Sequence, residues 1–149
     1  MGSIVDRLWP LLLRLMGGHT AVYQRTNGRI GHRHPGLPPM LLLDHVGARS
    51  GERRTSPLVY VRDGEDYVVI ASKGGFPKHP GWYHNLLAHP DTTIQVGSRH
   101  LDVHARVATA AERPRLWAMA VKTYSGYTGY QQRAGREIPL VVLEPRPSA

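Results

Sequence analysis

The chain is predicted to fold as an α+β domain built on an antiparallel sheet or barrel, and three observations predict it. Strand-like apolar runs follow one another at 40–46, 54–61 and 67–71, and again at 91–96 and 100–108, without the regular strand–helix alternation of a parallel sheet. Two junctions, Asp63-Gly64 and Gly97-Ser98, carry hairpin signals. The length, 149 residues, suits one domain. A domain of this size buries roughly 68–70% of its unfolded surface, so it holds a core without staples.

Each element has a local reason. Met1 to Met16 alternates leucines with Arg7 and Arg14 and reads as an amphipathic helix, which either docks on the domain or lies on a lipid surface. Glycines and prolines from Gly17 to Pro39 read as an extended connection, and His32, Arg33 and His34 within it as a solvated basic loop. Met40–Val46 is the first strand, Gly47–Gly51 a turn and Arg54–Val61 the second strand, in which Pro57 marks an edge or a bulge. Tyr67–Ala71 is the third strand, Ser72–Pro80 a loop and Trp82–Ala88 a short helix starting at Gly81. Asp91–Val96 and His100–Ala108 form a hairpin. Thr109, with Glu112 three residues on, gives the capping-box spacing of a helix that runs to Thr123. Ile138–Leu143 is the last strand. Residues 1–39 therefore read as an N-terminal helix and connection, and 40–149 as the body of a single globular domain.

Composition narrows the function. The chain has no cysteine, which excludes disulfides, thiolate metal sites and cysteine nucleophiles. Lysine and arginine number 19 against 11 acidic residues, a net charge of +8, which favours an anionic partner. No apolar run approaches the ~20 residues of a membrane span. The chain is expected in the cytoplasm, with peripheral membrane contact through residues 1–16. Its aromatic residues lie apart from its arginines and no DNA or RNA motif is present, so no nucleic acid is expected. Its histidines have no metal-ligand spacing, so no metal is expected.

Four clusters carry chemistry. Arg49, Ser50, Arg53, Arg54, Thr55 and Ser56 place guanidinium forks and hydroxyls on a glycine-flanked turn, a pattern suited to phosphate or carboxylate. Ala71-Ser72-Lys73-Gly74-Gly75 follows a strand, and its glycines allow close backbone approach to a flat ligand. These two meet only if the chain brings both to one rim. Pro80-Gly81-Trp82-Tyr83-His84-Asn85 opens a helix whose N–H groups favour an anion, although Trp82 itself reads more readily as core. Tyr124, Tyr127 and Tyr130, interleaved with Gly126 and Gly129, look like a hinged pocket wall.

The ordered strings Val46–Gly51, Arg53–Leu58, Ala71–Gly75, His79–Leu86 and Ile138–Leu143 together resemble the deazaflavin (F420)-dependent nitroreductase and F420H2-dependent quinone reductase family, over residues 40–145. The resemblance implies a split β-barrel, coenzyme F420 in reduced form as hydride donor, and quinones or nitroaromatic compounds as acceptors. By resemblance, Ala48, Arg49, Ser50 and Arg54 would hold the coenzyme's phosphate and oligoglutamate tail, assisted by Lys73. Thr55, Ser56, Pro57, Leu58 and Val59, with Ile70, Ala71, Ser72 and Lys73, would line the deazaflavin. Gly81, Trp82, Tyr83, His84 and Asn85 would complete the site. Tyr124, Tyr127 and Tyr130 match tyrosines that wall the substrate pocket, and Ser72 a serine that hydrogen-bonds substrate. The chain departs from the family's usual threonines at Leu43, Asp44 and His45 and from its basic residue at Ala48. The other readings are a non-catalytic F420-sequestering protein and a basic membrane or nucleic-acid binder.

Overall fold

The computed structural model describes residues 4–33, 37–75 and 77–147. Its elements are α1 (Ile4–Arg25), β1 (Met40–Val46), β2 (Arg53–Asp63), β3 (Asp66–Ile70), α2 (Gly81–Ala88), β4 (Asp91–Val96), β5 (Arg99–Val107), α3 (Arg113–Thr123), α4 (Gly126–Ala134) and β6 (Leu140–Pro145). The six strands close an antiparallel barrel in the order β1-β2-β3-β6-β5-β4. The expected α+β split barrel forms, with three helices after the first rather than two.

Strand alternation sorts the apolar side chains onto two faces. Leu41, Leu43, Tyr60, Tyr67, Val69, Ile94, Val96, Val103, Ala105, Val141 and Leu143 fill the interior, and Trp82 and Leu86 of α2 plug one end. Val61, Val68, Ile70, Leu140 and Val142 face outward, where Leu116 and Ala120 of α3 and Tyr127 and Ala134 of α4 cover them. The β1–β2 register runs unbroken through Leu42↔Pro57, so Pro57 is not at a bulge. β2 meets β3 only from Tyr60 to Asp63, which leaves residues 53–59 paired on one edge, the place where proline is tolerated.

Two expectations from glycine fail, for one physical reason. The helix does not end near Gly17: α1 continues to Arg25. Helical glycine costs only about 1 kcal/mol, and the last turns of α1 are anchored by Tyr23. That residue is fully buried, donates to the Met40 carbonyl at 3.1 Å and accepts from the Gly97 N–H at 2.7 Å. The chain then turns through Asn27 and Gly28, both at positive φ, and an added Cβ at Gly28 would stand 2.3 Å from the Gly97 backbone. Likewise Gly126 and Gly129 lie within helix α4, because Tyr127 and Ala134 bury against the barrel. His34 and Gly36 of the connection, and the side chains of Leu8, Trp9, Leu12 and Leu13, lie outside the described residues.

The capping box at Thr109 forms in both directions. The Thr109 N–H donates to Glu112 Oε1 at 2.9 Å, and the Glu112 N–H to Thr109 Oγ1 at 3.2 Å. It closes a turn from which α3 starts at Arg113. The Glu112 carboxylate also receives both terminal nitrogens of Arg106, at 2.7 and 3.0 Å, and Arg106 reaches Glu144 at 2.9 Å. These bonds hold the Glu112 carboxyl down at about 2. A folded-state value below the unfolded one stabilises the fold above about 4.5 and loses that contribution as pH falls toward 2. Glu112→Gln is therefore expected to be less stable to urea than wild type at pH 7, with the gap narrowed at pH 3 and lost only toward pH 2. Parallel unfolding curves at both pH values would refute it.

Candidate active site

Antiparallel closure sends the segments singled out in the sequence to one rim. The end of β1, the start of β2, the end of β3 (Ile70↔Leu140) and the end of β5 (Val107↔Val141) share it. The C-terminal turn of α1 docks at the opposite rim, on Met40 and Gly97. Arg49–Ser56, loop 71–80, α2 and the tyrosines after α3 therefore surround one end of the barrel.

The turn is built by the backbone. The Gly47 N–H donates to the Glu52 carbonyl at 2.8 Å and the Gly51 N–H to the Gly47 carbonyl at 2.9 Å. Gly51 sits at φ 70°, which favours glycine. Ser50 Oγ accepts the Glu52 N–H at 3.2 Å and packs so closely on Gly47 that a Cβ there would lie 2.4 Å away. The Ala48 N–H is taken by Asn85 Oδ1 at 2.9 Å. Among the described residues, the N–H groups of Arg49 and Ser50 have no partner. Arg49, Arg53 and Arg54 are exposed, Arg54 lying 3.5 Å from Glu52. Open turn amides beside three guanidinium groups make a donor set that fits an anion.

Strand alternation divides the contiguous stretch 55–59. Thr55, Pro57 and Val59 share the outward face with Ile70, and Thr55 Oγ1 donates to Asp44 Oδ1 at 2.8 Å. Arg54, Ser56 and Leu58 share the inward parity: Leu58 packs on the barrel core and Ser56 Oγ meets His45 Nε2 at 2.9 Å. Trp82 and Ala71 are core residues, so a ligand at this rim meets their backbone and not their side chains. Gly81 opens α2 without a side-chain cap. Tyr83 and His84 stand exposed to different degrees and form a ring cluster with His79, the His79–Tyr83 centroids being 4.7 Å apart.

Loop 71–79 is clasped by Arg136, which nothing local in the sequence announced. Its guanidinium donates to the carbonyls of Ala71, Ser72 and Lys78 at 3.1–3.3 Å and to His79 Nδ1 at 2.9 Å. Burial and the Arg136 charge push the His79 pKa down, so this ring stays an acceptor. Lys73 adopts φ 45°, an uncommon conformation for a lysine. The two glycines of the loop differ: an added Cβ at Gly74, at φ 62°, meets nothing within 4 Å. Gly75, at φ 82°, lets the loop approach α4, where a Cβ would stand 2.9 Å from Tyr130 Cα.

The three tyrosines form one cluster over the outward face. Tyr124 and Tyr127 meet edge to face at 5.0 Å, and the Tyr124 and Tyr130 hydroxyls are 2.9 Å apart. Gly126 makes room for the Tyr124 ring, which a Cβ there would strike at 2.6 Å. Tyr127 is 4% exposed, and its hydroxyl has no hydrogen-bond partner among the described residues. Burial raises the pKa of Tyr127, and raises that of Tyr130 to about 12 with help from the Tyr124 hydrogen bond. Tyr127 and Tyr130 are therefore neutral donors at physiological pH. From Arg54 to Val59 is five residues, about 16 Å at roughly 3.3 Å per residue. The rim thus joins a cationic turn to an aromatic wall across the span of an elongated ligand.

A six-stranded antiparallel barrel of this kind, in which β2 parts from β3 beyond Tyr60, is a split barrel. A solved F420-H2 dependent reductase (FDR-A) shares this architecture, with a TM-score of 0.66 and 41% identity over 71% of this chain and 94% of that one. HutZ, a heme storage protein of Vibrio cholerae, shares the fold at 14% identity and a TM-score of 0.55, covering 89% of this chain and 92% of its own. An F420H(2)-dependent quinone reductase of Mycobacterium tuberculosis (strain ATCC 25618 / H37Rv) is 49% identical over 138 residues, 91% of each chain. The family model described as F420H(2)-dependent quinone reductase matches residues 15–145, and this chain belongs to that family. It is an oxidoreductase family whose electron donor is reduced F420.

The packing of loop 71–79 on α4 gives a test. Gly75→Ala meets both a left-handed φ and the Tyr130 backbone, and is expected to cost more than about 1 kcal/mol. Gly81→Ala, with nothing within 4 Å of the added Cβ, should cost little or stabilise α2. Equal melting temperatures for the two variants would contradict this packing.

Proposed function

We propose that this chain passes a hydride from reduced F420 to a quinone at the rim described above. The observation that carries this reading is the paired donor set: open amides and arginines at the 47–54 turn, and tyrosine hydroxyls at the far end of the outward face of β2. When bound, the reduced deazaflavin supplies a two-electron hydride donor. Arg49, Arg54 and the Arg49 and Ser50 amides bind its phosphate and carboxylates, and Lys73 adds charge at the adjoining loop. Pro57, Val59 and Ile70 offer an apolar bed for a flat ring. Ser72, with its carbonyl held by Arg136, and the Tyr127 hydroxyl supply hydrogen bonds to an acceptor oxygen, orienting it and stabilising the negative charge that hydride arrival creates. Nitroaromatic compounds present the same pairing of flat ring and oxygen acceptor, and are proposed as a second acceptor class.

The same reading extends to a membrane surface. Leu11, Leu15 and Val22 are exposed on α1 and fall within about 40° of one another around its axis. Arg14 and Arg25 flank that stripe. No helix of the described residues is long and apolar enough to cross a membrane. An apolar stripe with basic flanks suits an interfacial helix on anionic lipid, where a lipid-soluble quinone is met.

The decisive assay mixes protein, reduced F420 and menadione and follows absorbance at 420 nm. Recovery of that absorbance is expected, and its absence with every quinone tried, together with no F420 binding, overturns the reading. Arg54→Ala should weaken F420 binding by about 1.5–3 kcal/mol, one to two orders of magnitude. Tyr127→Phe should lower turnover while leaving F420 affinity nearly unchanged; the opposite pattern would move that ring to the coenzyme. Cosedimentation with phosphatidylglycerol vesicles, lost in Leu11→Asp/Leu15→Asp, checks the lipid contact. Equal pelleting of wild type and variant rules it out.

A further inference from the structure

One buried histidine lies on β1, just before the cationic turn. His45 is 5% exposed and lies opposite Arg54 in the β1–β2 register. Its Nδ1 is 2.9 Å from Asn85 Nδ2 and its Nε2 is 2.9 Å from Ser56 Oγ. Asn85 in turn meets the Ala48 N–H at 2.9 Å. A backbone N–H only donates, so the Asn85 atom facing Ala48 is Oδ1 and the atom facing His45 is the amide nitrogen. That nitrogen also only donates, so Nδ1 of His45 carries no proton. Nε2 therefore carries it and donates to Ser56 Oγ. A single backbone donor thus sets the direction of every bond from the turn through α2 to β2.

We propose that His45 is the positioning residue of the cationic turn: its imidazole, seated between Ser56 and Asn85, holds the Asn85 carboxamide in the orientation that draws in the Ala48 N–H and leaves the Arg49 and Ser50 amides to bind an anion. The inference rests on the reading of this turn as the binding place of the coenzyme's anionic end. Without the Nδ1 acceptor the Asn85 amide nitrogen loses its partner, and the carboxamide is held only through Oδ1. That loosens the Ala48–Asn85 bond by which the turn is tied to α2. His45 does not contact the ligand; it acts through Asn85.

The charged groups acting on His45 are Arg54 on β2, which disfavours protonation, and Asp44 on β1, which favours it; its α2 neighbour Asn85 is uncharged. Burial is the largest influence and pushes its pKa below the ordinary value of 6.5. The acceptor therefore survives through neutral pH. Protonation at lower pH sets an N–H against the Asn85 N–H and breaks the relay.

Three substitutions separate positioning from packing. His45→Asn puts a carbonyl oxygen where Nδ1 stands, His45→Gln reaches only toward the Nε2 position, and His45→Leu offers neither. The readouts are F420 affinity by fluorescence titration, imidazole nitrogen chemical shifts, and Ala48 amide hydrogen exchange. Wild type is expected to show the Nε2-protonated tautomer, and an affinity that is flat near pH 7 and weakens only at pH values below the ordinary histidine value of 6.5. His45→Leu and His45→Gln should weaken binding about tenfold, the change expected for one lost hydrogen bond, and speed Ala48 exchange. His45→Asn should restore most of both and remove the acid weakening. Wild-type affinity and exchange in His45→Leu, equal behaviour of the Asn and Gln variants, or a proton found on Nδ1 would overturn the inference. If His45→Leu does not fold, the Asn and Gln pair decides. If wild type binds no F420, the proposed function fails, and the tautomer with Ala48 exchange still decides whether His45 sets the turn.

Discussion

Closure of six antiparallel strands is the constraint on which everything else in this protein rests. Once β1 pairs with both β2 and β4, through Leu42↔Gln95 and Leu43↔Ile94 on the latter side, each strand residue is assigned either inward or outward. The inward set becomes a core that α2 plugs with Trp82 and Leu86. The outward set is a second apolar surface that must be covered, and α3 and α4 cover it. The candidate site occupies the place where the two arrangements do not quite meet. There β2 has left β3, Pro57 needs no partner for a missing N–H, and loop 71–79 lies alongside.

At that rim, polar side chains do for the loops what strand pairing does for the barrel. Asn85 ties the turn to α2, and His45 ties Asn85 to β2. Arg136 gathers three carbonyls of the next loop. Gly75 lets that loop settle on the backbone of Tyr130. A cationic turn and an aromatic wall are thereby held at fixed separation on a rigid frame, as binding and orienting a long, anionic, flat-ended ligand requires. The arginines of the turn stand exposed, and buried neutral groups hold its geometry.

Much of this was legible locally. Strand positions, both hairpins, the reciprocal Thr109–Glu112 box and the short helix after Pro80 depend on neighbours within a few residues, and they form within a residue or two of the expected places. The helix errors share one cause. Gly17, Gly18, Gly126 and Gly129 signal a break locally, but a break costs more than it saves when Tyr23 or Tyr127 is buried by a distant strand. For a related reason the contiguous stretch 55–59 does not reveal locally which of its side chains face outward. Strand parity turns Leu58 and Ser56 inward, and the core claims the side chain of Trp82. His45 left a readable trace, a polar residue continuing the inward parity of Leu41 and Leu43. Arg136 left none, because its partners lie some 60 positions away in the chain.

By itself the sequence determined the α+β class, the alternation of the strands, the anion-seeking turn and, through the order of its motifs, the F420H(2)-dependent quinone reductase family. These follow from short-range chemistry, which the chain carries wherever it folds. Only the tertiary structure decided which residues face the groove, which glycines lie inside helices, and what holds the turn in place. Those outcomes depend on contacts such as Ala48–Asn85–His45–Ser56, whose members are brought together only when the barrel closes.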